Sequence, residues 1–477
     1  MRVKPGLKGR QVWPGHSVNR DRTARRGQQV HRVNRGPLVK TTVLDLTGPA
    51  GPVEPKGNSG ATGSQGQSGP QGLQGDAGAA GSTGSAGAIG AQGEAGVDGR
   101  DGEPADFRDR SRPPSDHTIA VVDQGPQIGF QTAVAVGGDG LPVIVYRDEA
   151  TRTVKVAHCG TEDCSSGNTL TTPDDRDNVG RGASIAINVS GFPIISYRDG
   201  LNGFLRVLSC GNYECTEGNQ LTDADESGSV NSKTSIVIGS DGLPVISYRD
   251  ASADALRVLH CGDSDCSGGN TLELVDDSGT DGNDSSLTIG VDGLPVISFL
   301  GTSSSELVVI HCENFACTTR GEPVRMDQSG VNGFDSSIAI GADGLPVIAY
   351  REVSNGDLNV VHCGSIDCAV GNLVTVIDDD PDVGFDISLT IGADGLPIIR
   401  YADRELSILK FVHCGTLRCN NASSVVVIDS ESTVLGHTAI TVGRNGLPII
   451  AYRDETLDAL KVAHLSNALG VPFFRRR

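Results

Sequence analysis

A unit of 51 residues recurs seven times in the downstream part of the chain, and this repeat constrains the fold more than any other feature. Its most recognisable stretch reads D-G-L-P-V-I-S-Y-R-D in the third copy. The proline of this stretch falls at Pro142, Pro193, Pro244, Pro295, Pro346, Pro397 and Pro448. Every interval is 51 residues, without insertion or deletion. Such regularity is typical of folds that place copies of one supersecondary unit side by side.

Each copy contains four segments with the pattern of a β-strand, here called A to D in chain order. Strand A alternates apolar and small residues, as at Ile236 and Ile238, and an Asp-Gly hairpin turn follows it. Strand B, at residues 243–248 of the third copy, is apolar on both faces, as expected of a strand sandwiched between layers. Strand C follows at residues 256–261 and strand D at residues 271–276.

Four strands in a unit of this length, repeated seven times, resemble the β-propeller family. The resemblance covers residues 117–466 and implies an all-β fold of seven four-stranded blades. A β-helix or another solenoid is the alternative, but it would need shorter rungs.

The register of the repeat also predicts how the ring closes. An aspartate stands 32 residues after the repeat proline, at Asp174, Asp225, Asp276, Asp327, Asp378 and Asp429, and Asp123 lies one unit upstream of the first. Asp123 ends the apolar stretch 117–122, which has the pattern of a strand D without its own A, B and C. The seventh copy has a strand C at residues 460–464 and no strand D after it. We therefore expect the N-terminal strand to complete the last blade and to remove its free edge.

Upstream of the repeats, glycine stands at every third position. After an interruption at Glu54, sixteen triplets run without a lapse from Gly57 to Gly102. Only glycine fits at the axis of a collagen triple helix, so this period predicts a three-chain rod. The segment resembles the collagen-like stretches of bacterial and viral surface proteins, which implies a homotrimer. Pro70 and Pro104 are the only prolines in the triplets, so we expect a weak helix, and a flexible spacer is the alternative.

Charge is distributed unevenly along the chain. Residues 1–47 carry a net charge of +9, residues 48–104 carry −4, and the remainder carries −25. The resulting division is a basic disordered tail at 1–47, a collagen-like stalk at 48–104, a linker at 105–116, the propeller at 117–466 and a C-terminal tail at 467–477. A head with this negative net charge lacks the basic surface that binding to nucleic acid requires. No apolar run approaches the ~20 residues of a membrane span, and no apolar segment of a secretory signal follows the basic residues.

All twelve cysteines lie in the repeats, two in each of the first six copies. They form six C-x4-C pairs: Cys159 with Cys164, Cys210 with Cys215, Cys261 with Cys266, Cys312 with Cys317, Cys363 with Cys368, and Cys414 with Cys419. Each pair brackets the turn between strands C and D. We predict six disulfides and therefore an oxidising compartment, extracellular or at the cell surface. Zinc is the alternative, but each blade offers two thiolates and one histidine without a fourth ligand in phase.

The loops from B to C and from D to A share one end of the predicted ring and collect acidic residues. The stretches 276–284 and 378–382 offer oxygen ligands for Ca²⁺, although they lack the D-x-D-x-D-G spacing of a dedicated loop. We therefore predict no cofactor, with Ca²⁺ as the alternative. Histidines at the end of strand C, such as His260, share a face with apolar residues, which favours a buried role over a metal ring.

The Tyr-Arg-Asp triplet at the same end offers a candidate ligand face. Its charged members are Arg147, Asp148, Arg198, Asp199, Arg249, Asp250, Arg453 and Asp454. Because the triplet recurs with the fold, packing and ion pairing between blades is the competing interpretation.

No nucleophile, acid pair or phosphate-binding loop stands outside the repeat, and the copies differ from one another at their loop tips. A single active site needs different residues in different roles. The sequence therefore predicts a non-enzymatic protein in which a collagen-like stalk presents a propeller head to a matrix component, a glycan or a basic surface. The rivals are a calcium-dependent lectin and a propeller hydrolase or lyase, which would need a non-repeated polar cluster near the axis.

Overall fold

The computed structural model describes residues 117–465, except 277–280, 302–304, 327–330 and 421–423. All of these residues belong to the second of the two units into which the chain divides, Asp98–Arg477. The predicted tail at 1–47, stalk at 48–104, linker at 105–116 and C-terminal tail at 467–477 lie outside the described residues.

The described residues form seven four-stranded antiparallel sheets and contain no helix. The chain enters with β1 (Thr118–Gln124). Blade 1 then consists of β2 (Phe130–Val136), β3 (Pro142–Asp148), β4 (Thr153–His158) and β5 (Thr169–Asp174). Blade 2 consists of β6 (Arg181–Ile187), β7 (Pro193–Arg198), β8 (Leu205–Ser209) and β9 (Gln220–Asp225). Blade 3 consists of β10 (Val230–Ile238), β11 (Pro244–Asp250), β12 (Ala255–His260) and β13 (Thr271–Asp276).

The remaining blades repeat this order. Blade 4 consists of β14 (Asp281–Ile289), β15 (Pro295–Gly301), β16 (Glu306–His311) and β17 (Val324–Arg325). Blade 5 consists of β18 (Phe334–Ile340), β19 (Pro346–Glu352), β20 (Asp357–His362) and β21 (Leu373–Asp378). Blade 6 consists of β22 (Phe385–Ile391), β23 (Pro397–Asp403), β24 (Ile408–His413) and β25 (Ser424–Asp429). Blade 7 contains β26 (Thr438–Val442), β27 (Pro448–Asp454) and β28 (Ala459–His464).

The N-terminal strand completes blade 7. Strand β1 pairs antiparallel with β28, from Thr118 opposite His464 to Gln124 opposite Ala459, which gives the sheet order β26, β27, β28, β1. The seven-bladed propeller and its closure by the first strand, both predicted from the repeat register, are confirmed. First and last strands of the head thus share one sheet, so that separating blade 7 from blade 1 would break a hydrogen-bonded pair of strands.

Strand B is longer than the sequence pattern indicates. The prediction ended it at residue 248, whereas β11 continues to Asp250, which pairs with Ala255 of β12. The Tyr-Arg-Asp triplet therefore belongs to the strand and not to the following loop, because the antiparallel ladder with strand C continues through it.

The core lies between the blades. Strands β3, β19 and β27 are buried along their whole length, as expected of apolar strands covered on both faces. Each hydrophobic cluster joins two consecutive blades, for example Val143 and Val156 of blade 1 with Ile195 and Leu208 of blade 2. The A strands are innermost and contact one another in a closed circle around the axis.

Serine side chains connect neighbouring A strands where no backbone ladder does. Ser235 Oγ accepts the N–H of Leu287 at 3.0 Å, and Ser337 Oγ accepts the N–H of Leu389 at 3.0 Å. These bonds hold the inner wall of the ring and fix the spacing of the positions that face the axis.

Candidate functional site

Seven positions at the start of the A strands surround the axial channel and carry five different residue types, with aspartate in blades 4, 5 and 6. They are Gln131, Gly182, Lys233, Asp284, Asp335, Asp386 and His437, each 51 residues after the one before, and we call them the axial ring. Six of them line one cavity. The seventh, Asp284, lies 4.0 Å from the Nζ of Lys233, which is part of that lining. The ring is a non-repeated polar cluster within an otherwise repeated fold.

A backbone irregularity aims these side chains away from the sheet. The ladders of β18 with β19 and of β22 with β23 shift register between Phe334 and Ser337 and between Phe385 and Ser388. Within these shifts Asp335 and Asp386 have φ of 51° and 52°, in the left-handed region. A bulge of this kind redirects a side chain out of the ordinary alternation of a strand.

Lys233 reaches carboxylates of three other blades. Its Nζ lies 2.7 Å from Asp335 Oδ1, 3.3 Å from Asp386 Oδ1 and 4.0 Å from Asp284 Oδ1. Burial opposes its charge, but the three carboxylates outweigh burial and raise the pKa of Lys233 well above its ordinary value. The ammonium of blade 3 therefore spans the channel to blades 4, 5 and 6.

The carboxylates of the ring are held in different electrostatic states. Burial opposes ionisation of Asp386, yet the Lys233 ammonium and the Arg400 guanidinium hold its pKa well below its ordinary value. Burial, only partly offset by Lys233, raises the pKa of Asp284. The pKa values of two carboxyl groups in one cluster are thus shifted in opposite directions.

Ring side chains are also fixed to the backbone of the next blade. Asp386 Oδ2 accepts the N–H of Thr438 at 3.0 Å, and Gln131 Oε1 accepts the N–H of Gly182 at 3.0 Å. These bonds orient the side chains before any ligand arrives.

A second layer of polar side chains lies next to the axial ring, and its composition also differs between blades. In three interfaces it consists of hydroxyl pairs: Ser196 with Thr234 at 2.7 Å, Ser247 with Ser285 at 3.1 Å, and Ser298 with Ser336 at 3.1 Å. In blade 6 the position of these B-strand serines is occupied by Arg400.

Arg400 is a buried cation that lines the cavity. It is 2% exposed, and its Nη1 donates to the backbone oxygen of Asp386. Its Nε–H has no hydrogen-bond partner in the described part of the chain. Burial lowers the pKa of Arg400 to about 10 despite the neighbouring Asp386. An unsatisfied buried donor is costly, and the Nε–H groups of Arg198, Arg249 and Arg453 share this state away from the cavity.

The cavity has a volume of about 690 Å³, within the ~300–1,000 Å³ range of small-molecule sites. Besides the ring and Arg400 it is lined by Arg404 and Glu455, which follow the B strands of blades 6 and 7. It therefore lies at the end of the propeller that carries the B-to-C and D-to-A loops.

The predicted ligand face is not an open surface. Arg147 is fully buried and donates to the backbone oxygen of Val179 and to Asn178 Oδ1 at 3.2 Å. Arg453 is 3% exposed and pairs with Glu455, and Arg198 and Arg249 are partly buried. The aspartates of the triplets, Asp148, Asp199, Asp250 and Asp454, are all buried and accept backbone N–H groups of the B-to-C loops.

The tyrosine of the triplet connects consecutive blades. Tyr197 Oη of blade 2 donates to Asp174 Oδ2 of blade 1 at 2.7 Å, and Tyr452 donates to Asp429 Oδ2 at 2.7 Å. The triplets are thus engaged in packing within and between blades, and the structure does not bring their charged groups together into a site.

The acidic stretch 378–382 considered for Ca²⁺ is paired with cations, whereas residues 277–280 of the other stretch lie outside the described residues. Asp378 and Asp380 lie 3.0 and 2.7 Å from Lys410 Nζ, and Asp382 lies 2.9 Å from Arg351. In the described ranges no group of three or more His, Cys, Asp or Glu is arranged to hold a metal ion. Five of the histidines that end strand C contact the aspartate of the A-to-B turn, as in His260 Nε2 to Asp241 Oδ2 at 2.7 Å, and His464 contacts Asn445 there.

All six predicted disulfides are confirmed, between the cysteine pairs of the C-to-D turns. Both members of the first pair, Cys159 and Cys164, are buried in the cluster between blades 7 and 1.

The expectation that the copies differ at their loop tips overlooked the variation inside the fold. The residues at the axial ring and at the position of Arg400 vary between blades, although these positions lie at or in strands A and B and not in loop tips. Superposing the copies at their 51-residue spacing shows the column Gln, Gly, Lys, Asp, Asp, Asp, His in the sequence itself. A polar residue just before an apolar strand resembles a loop residue, which is why the alternation of strand A alone does not reveal it.

Residues 46–106 match the family model of the collagen triple helix repeat. A comparison with curated proteins finds no match. In the described part of the chain there is no helix with the length and hydropathy of a membrane span.

Solved structures similar to this chain include a protein of unknown function from Dyadobacter fermentans and the NanB sialidase from Streptococcus pneumoniae. The first has 11% identity and a TM-score of 0.45, with 73% of this chain and 97% of that chain covered. The second has 11% identity and a TM-score of 0.41, with 73% of this chain and 71% of that chain covered. At these values neither neighbour supports an activity for this chain.

Proposed function

We propose that this chain is a non-enzymatic stalk-and-head binding protein of the extracellular space or cell surface. Collagen-like segments join three chains, and each propeller takes a ligand in its axial cavity. The observation that carries the proposal is the axial ring. The seven units share their spacing and motifs but carry five different residues in this one column, six members of which line a cavity of about 690 Å³.

The rest of the molecule supports a scaffold role. The Gly-X-Y triplets and their match to the collagen repeat favour a homotrimer. Six disulfides favour an oxidising compartment, because such bonds persist outside the reducing cytosol. A trimer would carry three cavities, so that binding to a matrix or to a glycan-bearing surface gains strength from multivalency.

A thermal-shift screen of the full chain tests the binding role. Compounds that raise the unfolding temperature of the head are retested on Lys233→Met and Asp335→Asn, which alter the cavity. Asp177→Asn is the matched control, since Asp177 is an exposed carboxylate in a D-to-A loop that pairs with Arg152 outside the cavity. We expect the stabilisation to vanish in the cavity variants and to persist in the control. Stabilisation that survives both cavity substitutions would place the ligand elsewhere.

A hydrolase is the second candidate, because Lys233 Nζ lies within 4.0 Å of the carboxyl groups of both Asp284 and Asp386, whose pKa values are displaced in opposite directions. Burial raises the pKa of Asp284, whereas Lys233 and Arg400 overcome burial and keep Asp386 ionised. Such a division suits a proton donor beside a carboxylate. Turnover of a chromogenic glycoside or ester that Asp284→Asn and Asp386→Asn both abolish would favour the enzyme over the binding protein.

A further inference from the structure

We propose that the ligand of the axial cavity is a neutral, hydroxyl-rich molecule of the saccharide class, held by hydrogen bonds and without a metal ion. This inference rests on the proposed binding function and specifies the chemistry of its ligand.

The charges that line the cavity are balanced. Three cationic side chains, Lys233, Arg400 and Arg404, face three anionic ones, Asp335, Asp386 and Glu455. Asp284, the remaining carboxyl group of the axial ring, is not part of the lining, and burial raises its pKa, which favours its neutral form. His437 adds no charge near neutral pH, because burial lowers the pKa of its imidazole. A charged ligand would leave this lining unbalanced in a partly desolvated space, whereas a neutral ligand would not.

Each charged group already has a partner within the protein. Lys233 lies between the carboxylates of Asp335 and Asp386, and Glu455 Oε2 lies 2.9 Å from Arg453. Arg404 Nε donates to the backbone oxygen of Leu435 at 3.0 Å.

The Arg404 guanidinium also lies 3.8 Å from the centre of the Phe385 ring. Cations and carboxylates are therefore interleaved, without separate subsites for the two ends of a zwitterion. A free ammonium would have to displace Lys233, and a free carboxylate would have to compete with the acidic members of the ring.

The cavity lining can still form hydrogen bonds with a ligand. Asp335 uses Oδ1 toward Lys233, and no partner of its Oδ2 is found among the described residues. Arg400 also lines the cavity, and its guanidinium carries N–H donors. A fixed acceptor and a fixed donor match hydroxyl groups, which both donate and accept. Because the lining contains no Phe, Tyr or Trp, recognition depends on these hydrogen bonds and not on ring stacking.

The discriminating probes are matched sugars: glucose, galactose and mannose, as free sugars and as short oligosaccharides, each beside its uronic acid and its 2-amino counterpart. Glycine and betaine serve as zwitterions. Binding to the full chain is measured by calorimetry in the presence of EDTA. We expect at least one neutral sugar to bind, and its acidic and amino counterparts to bind at least tenfold more weakly.

Two cavity variants and one control complete the test. Arg400→Ser introduces the residue that blades 2, 3 and 4 carry at this position, and Asp335→Asn removes the charge but keeps the size. Each should weaken sugar binding about tenfold or more, because a hydrogen bond to a charged group is lost. Asp177→Asn should leave it unchanged. Near-ultraviolet circular dichroism of the tyrosines shows whether each variant keeps the native head.

The outcomes separate the two proposals. Binding of an acidic, amino or zwitterionic probe in preference to every neutral sugar, with sensitivity to Arg400→Ser, overturns the ligand class and leaves the binding function standing. Loss of sugar binding in EDTA that calcium restores also overturns the inference, in favour of a metal-bridged ligand. If no probe binds and no compound of the thermal-shift screen acts through the cavity, both proposals fall.

Discussion

At the scale of single residues, a buried polar network recurs between the blades. The aspartate that ends a strand D accepts the tyrosine of the next blade and faces a cation on its strand C. Asp225, for example, accepts Tyr248 and lies 3.1 Å from Arg257 Nη1. Blade 4 carries Phe299 in place of the tyrosine and Val308 in place of the cation but keeps Asp276 before it, and blade 5 keeps Tyr350 with Asn359 in place of the cation. The network is therefore varied member by member from blade to blade.

Replacing Tyr197 by phenylalanine removes one of these bonds without changing the shape of the core. Tyr197 is fully buried and bonds to Asp174, so Tyr197→Phe should lower the free energy of unfolding by about 1.5–3 kcal/mol. Tyr213→Phe is the control, because Tyr213 is partly exposed and contacts His158 and Phe192 through its ring. Urea denaturation with intact disulfides measures both. Equal effects of the two substitutions would contradict the assigned role of the hydroxyl.

The same tyrosines predict the alkaline limit of the fold. Burial and a neighbouring aspartate raise the pKa of Tyr146, Tyr197, Tyr248, Tyr401 and Tyr452 well above their ordinary value of 10.0. A raised pKa of this kind contributes stability that is fully present below pH 10 and is lost as pH rises toward the folded value. Tyrosinate absorbance at 295 nm should therefore rise together with the loss of circular dichroism. Five tyrosines that ionise near pH 10 in an intact fold would exclude this coupling.

At the scale of elements, β1 is the strand on which the ring depends. Val122 is 8% exposed and packs with Leu460 of β28 and Ile144 of blade 1. Val121, its neighbour on the same strand, is 48% exposed. The two positions therefore offer a matched comparison of the buried and exposed faces.

Val122→Asp should destabilise the head by more than about 3 kcal/mol, because it buries an unpaired charge. It should also promote self-association through the edge of β28 that β1 normally covers. Val121→Asp should change stability by less than about 0.5 kcal/mol. Denaturation and size-exclusion chromatography measure the two effects. A stable, monodisperse Val122→Asp head would show that β1 is dispensable.

The elements were largely predictable from the sequence because they repeat. The invariant 51-residue spacing indicated the number of blades, the closing strand and the cysteine pairs. The length of strand B was less predictable, because nothing in Tyr248-Arg249-Asp250 distinguishes a strand end from a loop. The axial ring was not predicted at all. Its members come together through the circular arrangement of seven A strands, and no single copy contains more than one of them.

At the scale of the whole molecule, two repeats of different period stand in one chain. The period of three predicts an assembly of three chains, and the period of 51 gives each chain a head with one axial cavity. Because proline is scarce in the triplets, we expect the predicted rod to be weak, so the assembly is best examined in the cold. The proposed trivalent presentation of the cavities would depend on this rod.

The native mass of the full chain before and after collagenase, measured near 4 °C by light scattering on a sizing column, tests the stalk-and-head account most directly. We predict the mass of three 49.4-kDa chains before digestion and single-chain heads afterwards. A chain that migrates as a monomer before digestion, or an assembly that keeps its three heads together after the triplets are removed, would contradict it.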